Sequence, residues 1–215
     1  YGYMRSGTTM LTTMLNSHPQ LKCYAEESVN VLPSLNNNEG INVKYPHLKP
    51  GEILNYLNNY KIIHLIRENV FHTSISNYIN DNKNENLYYI TKQDKHDKQL
   101  PKANRESHKN IDTDKIYVDI NYVRNNMVYI HQLVQDQINI LGSHPNVLTL
   151  TYEELTENNK DIKILNSSLC NKICNFLGVE VKDMYSTTMK VNNVNYEKYI
   201  SNWGDLSKLK QMLDE

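Results

Sequence analysis

The sequence predicts an α/β protein, a three-layer α/β/α domain around a central parallel sheet, and three observations carry that prediction. A loop bracketed by Gly2 and Gly7 leads directly into an apolar helical pattern. The run Lys61-Ile62-Ile63-His64-Leu65-Ile66-Arg67 is nearly continuous in aliphatic residues, as suits a strand covered on both faces of a parallel sheet. Strand-like and helix-like stretches then alternate to the C-terminus. At 215 residues and 39% hydrophobic content, one compact domain spanning residues 1–215 is expected.

The elements follow in order. Residues 10–16 form a helix whose apolar face is Met10, Leu11, Met14 and Leu15, stopped near Ser17-His18-Pro19 by the proline. Leu21 to Tyr24 reads as a short strand, followed by Ala25-Glu26-Glu27. Residues 33–41 are expected to be a polar loop, and the alternation from Ile41 to Tyr45 a further strand, punctuated by Pro46 and Pro50. A helix over Glu52 to Asn59 delivers the chain to the strand ending at Arg67. Asn69 then caps a helix to about Asn80.

Residues 81–115 are charged and poor in aliphatics, which reads as a solvated excursion or lid. From Tyr122, the positions Val123, Met127, Ile130, Val134, Ile138 and Leu141 step by three and four. That is a long amphipathic helix, ended by Gly142. Val147 to Tyr152 is a strand, Leu169 to Leu177 a helix closed by Gly178, and Leu206 to Leu213 a terminal helix after an irregular stretch.

Bulk properties narrow the partners. A formal net charge of −1 offers no global basic field for nucleic acid, so any anion is bound locally. No apolar run approaches the ~20 residues of a membrane span. Three cysteines, an odd number, point to a reducing, cytoplasmic setting. Because the chain opens on Tyr1, inside the first expected strand, an upstream anchor and a Golgi-lumenal placement stay open. Cys170 and Cys174, four apart on one helical face, are expected to be core residues.

The chemistry starts at the first loop. Glycines let consecutive backbone N–H groups turn inward, and the following helix adds its positive end, so Gly2 to Thr9 is built to cradle an anion. Gly2-x-x-x-x-Gly7-x-Thr9 fits the phosphate-loop template G-x-x-x-x-G-K-[ST] except at Thr8, which replaces its Lys. That replacement argues against nucleotide triphosphate hydrolysis. A cation returns as Arg5, beside the hydroxyls of Ser6, Thr8 and Thr9.

Arg5-Ser6-Gly7-Thr8-Thr9, followed by Asn16-Ser17-His18-Pro19, resembles the 5′-phosphosulfate loop of sulfotransferases that use 3′-phosphoadenosine 5′-phosphosulfate (PAPS). Ile66-Arg67-Glu68-Asn69, with Ser76 nine residues after Arg67, resembles the 3′-phosphate site of the family's bacterial carbohydrate-type members; Ser74 is close enough to compete with Ser76. Leu150-Thr151-Tyr152-Glu153-Glu154-Leu155, Phe176-Leu177-Gly178-Val179 and the closing stretch from Lys190 to Trp203 also look like the family, so the resemblance runs over essentially the whole chain and is thinnest in residues 81–115.

The resemblance implies a P-loop-like fold and transfer of a sulfuryl group from PAPS to an acceptor hydroxyl, on a carbohydrate or glycolipid, without a metal. Arg5, Ser6, Gly7, Thr8, Thr9, Arg67, Ser76 and Lys190 would hold the nucleotide, and Arg5 would also stabilise charge growing on the leaving phosphate. The general base is Glu26, which the family's pattern favours, or its neighbour Glu27, or His47 near Lys44. Lys44 either contacts the sulfuryl group or is solvated, while His18 and His64 are expected to be structural. Two other classes stand beside this reading: a P-loop kinase-like phosphotransferase using ATP, and a non-catalytic domain of the same family that binds nucleotide or glycan.

Overall fold

The computed structural model describes residues 1–24, 35–45, 49–82, 115–156, 164–186 and 196–214. The protein is mixed α/β, and its principal sheet has four parallel strands. These are β1 (Gly2–Tyr3), β4 (Lys44–Tyr45), β5 (Ile62–Ile66) and β6 (Val147–Thr151), in the spatial order β4-β1-β5-β6. Gly2 stands opposite Lys44 on one side and Leu65 on the other, and β5 pairs with β6 along its whole length, Ile62 with Val147 through Ile66 with Thr151. A separate parallel pair joins β2 (Lys22–Tyr24) to β3 (Glu39–Ile41).

The helices are α1 (Thr8–Ser17), α2 (Pro50–Ile53), α3 (Val70–Asp81), α4 (Ile120–Leu141), α5 (Tyr152–Thr156), α6 (Ser167–Leu177), α7 (Tyr196–Tyr199) and α8 (Trp203–Asp214). None of the described helices is long and apolar enough to cross a membrane.

The chain forms two compact units, Tyr1–Asn69 with His131–Met189, and Val70–Ile130 with Lys190–Glu215. In the first, consecutive residues of β5 feed two different clusters. Ile63 and Leu65 pack with Met10, Met14, Leu150 and Ile173, while Ile62 packs with Val43, Ile53, Leu57 and Leu141. Side chains of a strand alternate between faces, so both faces of β5 are covered, which accounts for its unbroken apolar run. Cys170 and Cys174 lie in the first of these clusters, as small buried side chains. The second unit has its own core of Phe71, Ile75, Val118, Val123, Met127 and Leu206, with Tyr78, Tyr122 and Trp203 packed against it.

Several boundaries differ from the sequence reading. The expected polar loop ends in β3, because Glu39 accepts from Tyr24 Oη (2.9 Å) and Lys22 Nζ (3.3 Å) across the pair. The single strand expected over Ile41–Tyr45 is split, with Ile41 paired to Tyr24 and Lys44–Tyr45 paired to β1 in the other sheet. The helix expected from Glu52 starts at Pro50, where Lys49 N–H is taken by Glu52 Oε2 (2.6 Å), and continues as a 3₁₀ turn over Leu54–Tyr56. Helix α4 starts earlier than Tyr122, at Ile120, because Asp119 Oδ1 accepts from the amides of Asn121 and Tyr122. Its buried stripe passes through Leu133 and Gln137 where Val134 and Ile138 were expected. The short helix α7 interrupts the stretch read as irregular, and α8 starts three residues earlier than expected.

Candidate functional site

Helix α1 begins without a side-chain cap. Its N-cap is Gly7, at φ 94°, which has no side chain to hydrogen-bond the leading amides. The first amides of a helix have no intrahelical acceptor, so the amides at the positive pole of α1 call for an acceptor from outside the helix. The loop before it turns on two left-handed residues, Gly7 and Arg5 at φ 66°, the second unusual for a residue with a Cβ. Successive backbone N–H groups in turns of this kind can form a concave, anion-accepting arrangement. The turn is closed by Ser6, whose amide and hydroxyl both donate to Tyr3 C=O (3.2 and 2.6 Å).

Both glycines are required by close approach. A Cβ on Gly2 would lie 2.5 Å from Leu65 O, and one on Gly7 would enter the ring of Tyr152. Of the predicted hydroxyls, Ser6 and Thr8 are buried and Thr9 is exposed. Arg5 is exposed on the rim.

The sheet order places a second cation beside this loop. The chain leaves β1 towards β4 on one side and leaves β5 towards β6 on the other, so the connections diverge between β1 and β5. Open α/β sheets bind ligands at such a divergence, at the carboxyl ends of the strands. Arg67 follows β5 at that end, and its Nη1 donates to the carbonyl of Arg5, which follows β1 (3.1 Å). Lys44 lies in β4, opposite Gly2. Two basic residues, Arg5 and Arg67, therefore come from the carboxyl ends of two adjacent strands, whereas Lys44 opens β4 at its amino end.

Two further residues complete the arrangement, and the sequence reading did not assign them a role. The Arg67 guanidinium carbon lies 4.8 Å from the centroid of the Tyr152 ring. Glu153 accepts from the amides of Glu68 (3.0 Å) and Asn69 (3.2 Å), tying down the turn after Arg67. The next residue, Glu154, exchanges hydrogen bonds with Thr151, which starts α5. The only sequence signal for these roles was Glu153-Glu154 directly after a strand read as ending at Tyr152, a residue that in the structure opens α5.

The Asn16-Ser17-His18-Pro19 stretch is a clamp. Asn16 pairs with both backbone groups of Cys23, Ser17 Oγ accepts from Tyr185 N–H (2.9 Å), and His18 bonds Glu180 O through Nε2 (2.8 Å) while Nδ1 accepts from Gln20 N–H (3.1 Å). His18 is thus a buried structural residue. So is His64, fully buried in β5 with Nε2 3.0 Å from Gln137 Oε1, and burial lowers its pKa to about 4.

Arg5, Gly7 and Arg67 are brought together within the first unit. Ser76 belongs to the second unit, on α3, where it is half-buried, whereas Ser74 is fully buried there. Glu26, Glu27, His47 and Lys190 lie outside the described residues, as does most of the polar excursion, residues 83–114. Among the described residues no group of three or more His, Cys, Asp or Glu side chains is placed to hold a metal ion. Comparison with protein-family models, curated proteins and solved structures finds no match to this chain.

Proposed function

We propose that this chain is a sulfotransferase of three-layer, P-loop-like architecture that moves a sulfuryl group from PAPS to an acceptor hydroxyl. The observation that carries the reading is the hydrogen bond from Arg67 to the backbone of Arg5, at the divergence between β1 and β5 and beside the uncapped start of α1. A nucleotide with phosphates at both ends of its ribose needs two anion sites a short distance apart. In this reading the Gly2–Thr9 loop takes the 5′-phosphosulfate and Arg67 the 3′-phosphate.

The chemistry follows from the charges. As the S–O bond to the 5′-phosphate breaks, negative charge grows on the leaving oxygen. Arg5 and the leading amides of α1 stabilise it where it develops, which is worth more than binding the ground state. The acceptor hydroxyl attacks sulfur in line and gives its proton to a base, for which Glu26 is the first choice and His47 or Glu27 the others. Thr8, standing where a triphosphatase needs Lys, separates this chemistry from ATP use. A carbohydrate or glycolipid acceptor is proposed from the Arg67-Glu68-Asn69 pattern alone.

Calorimetry with 3′-phosphoadenosine 5′-phosphate, compared with ATP–magnesium, tests the proposal. Tight binding of the first and none of the second is the expected result. The reverse would return the loop to kinase-like chemistry. Binding of the first nucleotide with no transfer to any hydroxyl acceptor would leave a non-catalytic binding domain.

A further inference from the structure

We infer that Tyr152 is a positioning residue for the anion site: its ring aims the Arg67 guanidinium and braces the glycine loop, so that both phosphate sites are held in one geometry. Three contacts, all inside the first unit, carry this. The ring fills the space that a side chain at Gly7 would need. The Arg67 guanidinium lies over the same ring, 4.8 Å from its centroid. Glu153, the adjacent residue, fixes the backbone on the C-terminal side of Arg67 through Glu68 and Asn69.

A single strand end, that of β6, therefore constrains the cation following β5 and the loop following β1. Planar guanidinium groups stack well on aromatic faces, and a side chain already held in its bound direction loses less freedom when the ligand arrives. Tyr152 is also a core residue, 7% exposed and packed with Leu150 and Leu155, so lost stability alone would not establish the role. The readouts must be ones that packing does not move.

The direct readout needs no ligand. In the unliganded wild type, the Arg67 Cδ methylene proton resonances, which no hydrogen bond perturbs, should be shifted upfield by the ring and should return to the free-arginine position in Tyr152→Leu but not in Tyr152→Phe. Resonances at the free-arginine position in the wild type would overturn the inference even if Tyr152→Leu fails to fold.

The second readout rests on the sulfotransferase reading. Tyr152→Leu should weaken 3′-phosphoadenosine 5′-phosphate at least tenfold, and at least fivefold more than adenosine 5′-phosphate, which lacks the 3′-phosphate. Tyr152→Phe should stay within twofold for both. In the Arg67→Ala background, Tyr152→Leu should cost less 3′-phosphoadenosine 5′-phosphate affinity than in the wild type, the remainder being the share of the glycine loop. Equal losses for the two nucleotides, or full additivity, would overturn the inference. A wild type that binds neither nucleotide would reject the sulfotransferase reading, while the resonance position still decides the positioning role.

Discussion

Arg5 and Gly7 show how the loop is constrained residue by residue. Both are left-handed, but only Gly7 also faces a ring. Gly7→Ala combines an unfavourable φ with a clash against Tyr152, and a loss of roughly 2–3 kcal/mol is expected in urea unfolding. Arg5 is strained by its own Cβ, at an order of 1–2 kcal/mol. Arg5→Gly relieves that strain while loosening the unfolded chain, so its stability should stay within about 1 kcal/mol of wild type. On the proposed sulfotransferase reading, the same change, like Arg5→Ala, removes the charge that would face the leaving phosphate, and sulfuryl transfer should fall by about a hundredfold or more. A variant with normal stability and normal transfer would remove Arg5 from the chemistry.

Strand β5 carries a titratable group in a place that few strands tolerate. His64 is fully buried and bonded to Gln137 of α4, and burial takes its pKa from 6.5 to about 4. Between those values the unfolded chain binds a proton that the native chain refuses. Stability from this group is therefore complete above about pH 6.5 and is lost as pH falls towards 4, by on the order of 3 kcal/mol. Comparing wild type with His64→Gln in urea unfolding from pH 7 to pH 4 isolates the effect. Equal slopes for the two proteins would show that His64 is protonated at no cost in the native state. The same pair explains why α4 buries Gln137: the histidine on the facing strand needs a hydrogen-bonding partner more than the helix needs another aliphatic.

Across the molecule, the sheet order brings Arg5 and Arg67, 62 positions apart in the chain, to one hydrogen bond. On the same reading, Arg67→Ala should leave the fold intact and weaken 3′-phosphoadenosine 5′-phosphate by about tenfold to a hundredfold, since the charge-assisted phosphate contact proposed for it would be lost. Unchanged affinity in calorimetry would reject Arg67 as the 3′-phosphate site. Transfer in the presence of EDTA should equal that in magnesium buffer; activity that depends on added magnesium would favour the kinase-like alternative.

The long, strongly periodic elements were legible from sequence because their signals are local. Helix α1 shows its apolar face in Met10, Leu11 and Met14, β5 its double burial in an unbroken aliphatic run, and α6 its end in Gly178, left-handed at φ 79°. The glycine loop was legible for the same reason: the spacing of Gly2 and Gly7 is a property of eight consecutive residues. Strands β1 to β4, two or three residues each, carry too little pattern to be bounded alone, and parallel pairing is settled by partners distant in sequence. Tyr152 looked like the end of a strand. Only folding sets it against Gly7 and Arg67 from 145 and 85 positions away, because contacts between strand ends arise from sheet order, which no local pattern encodes.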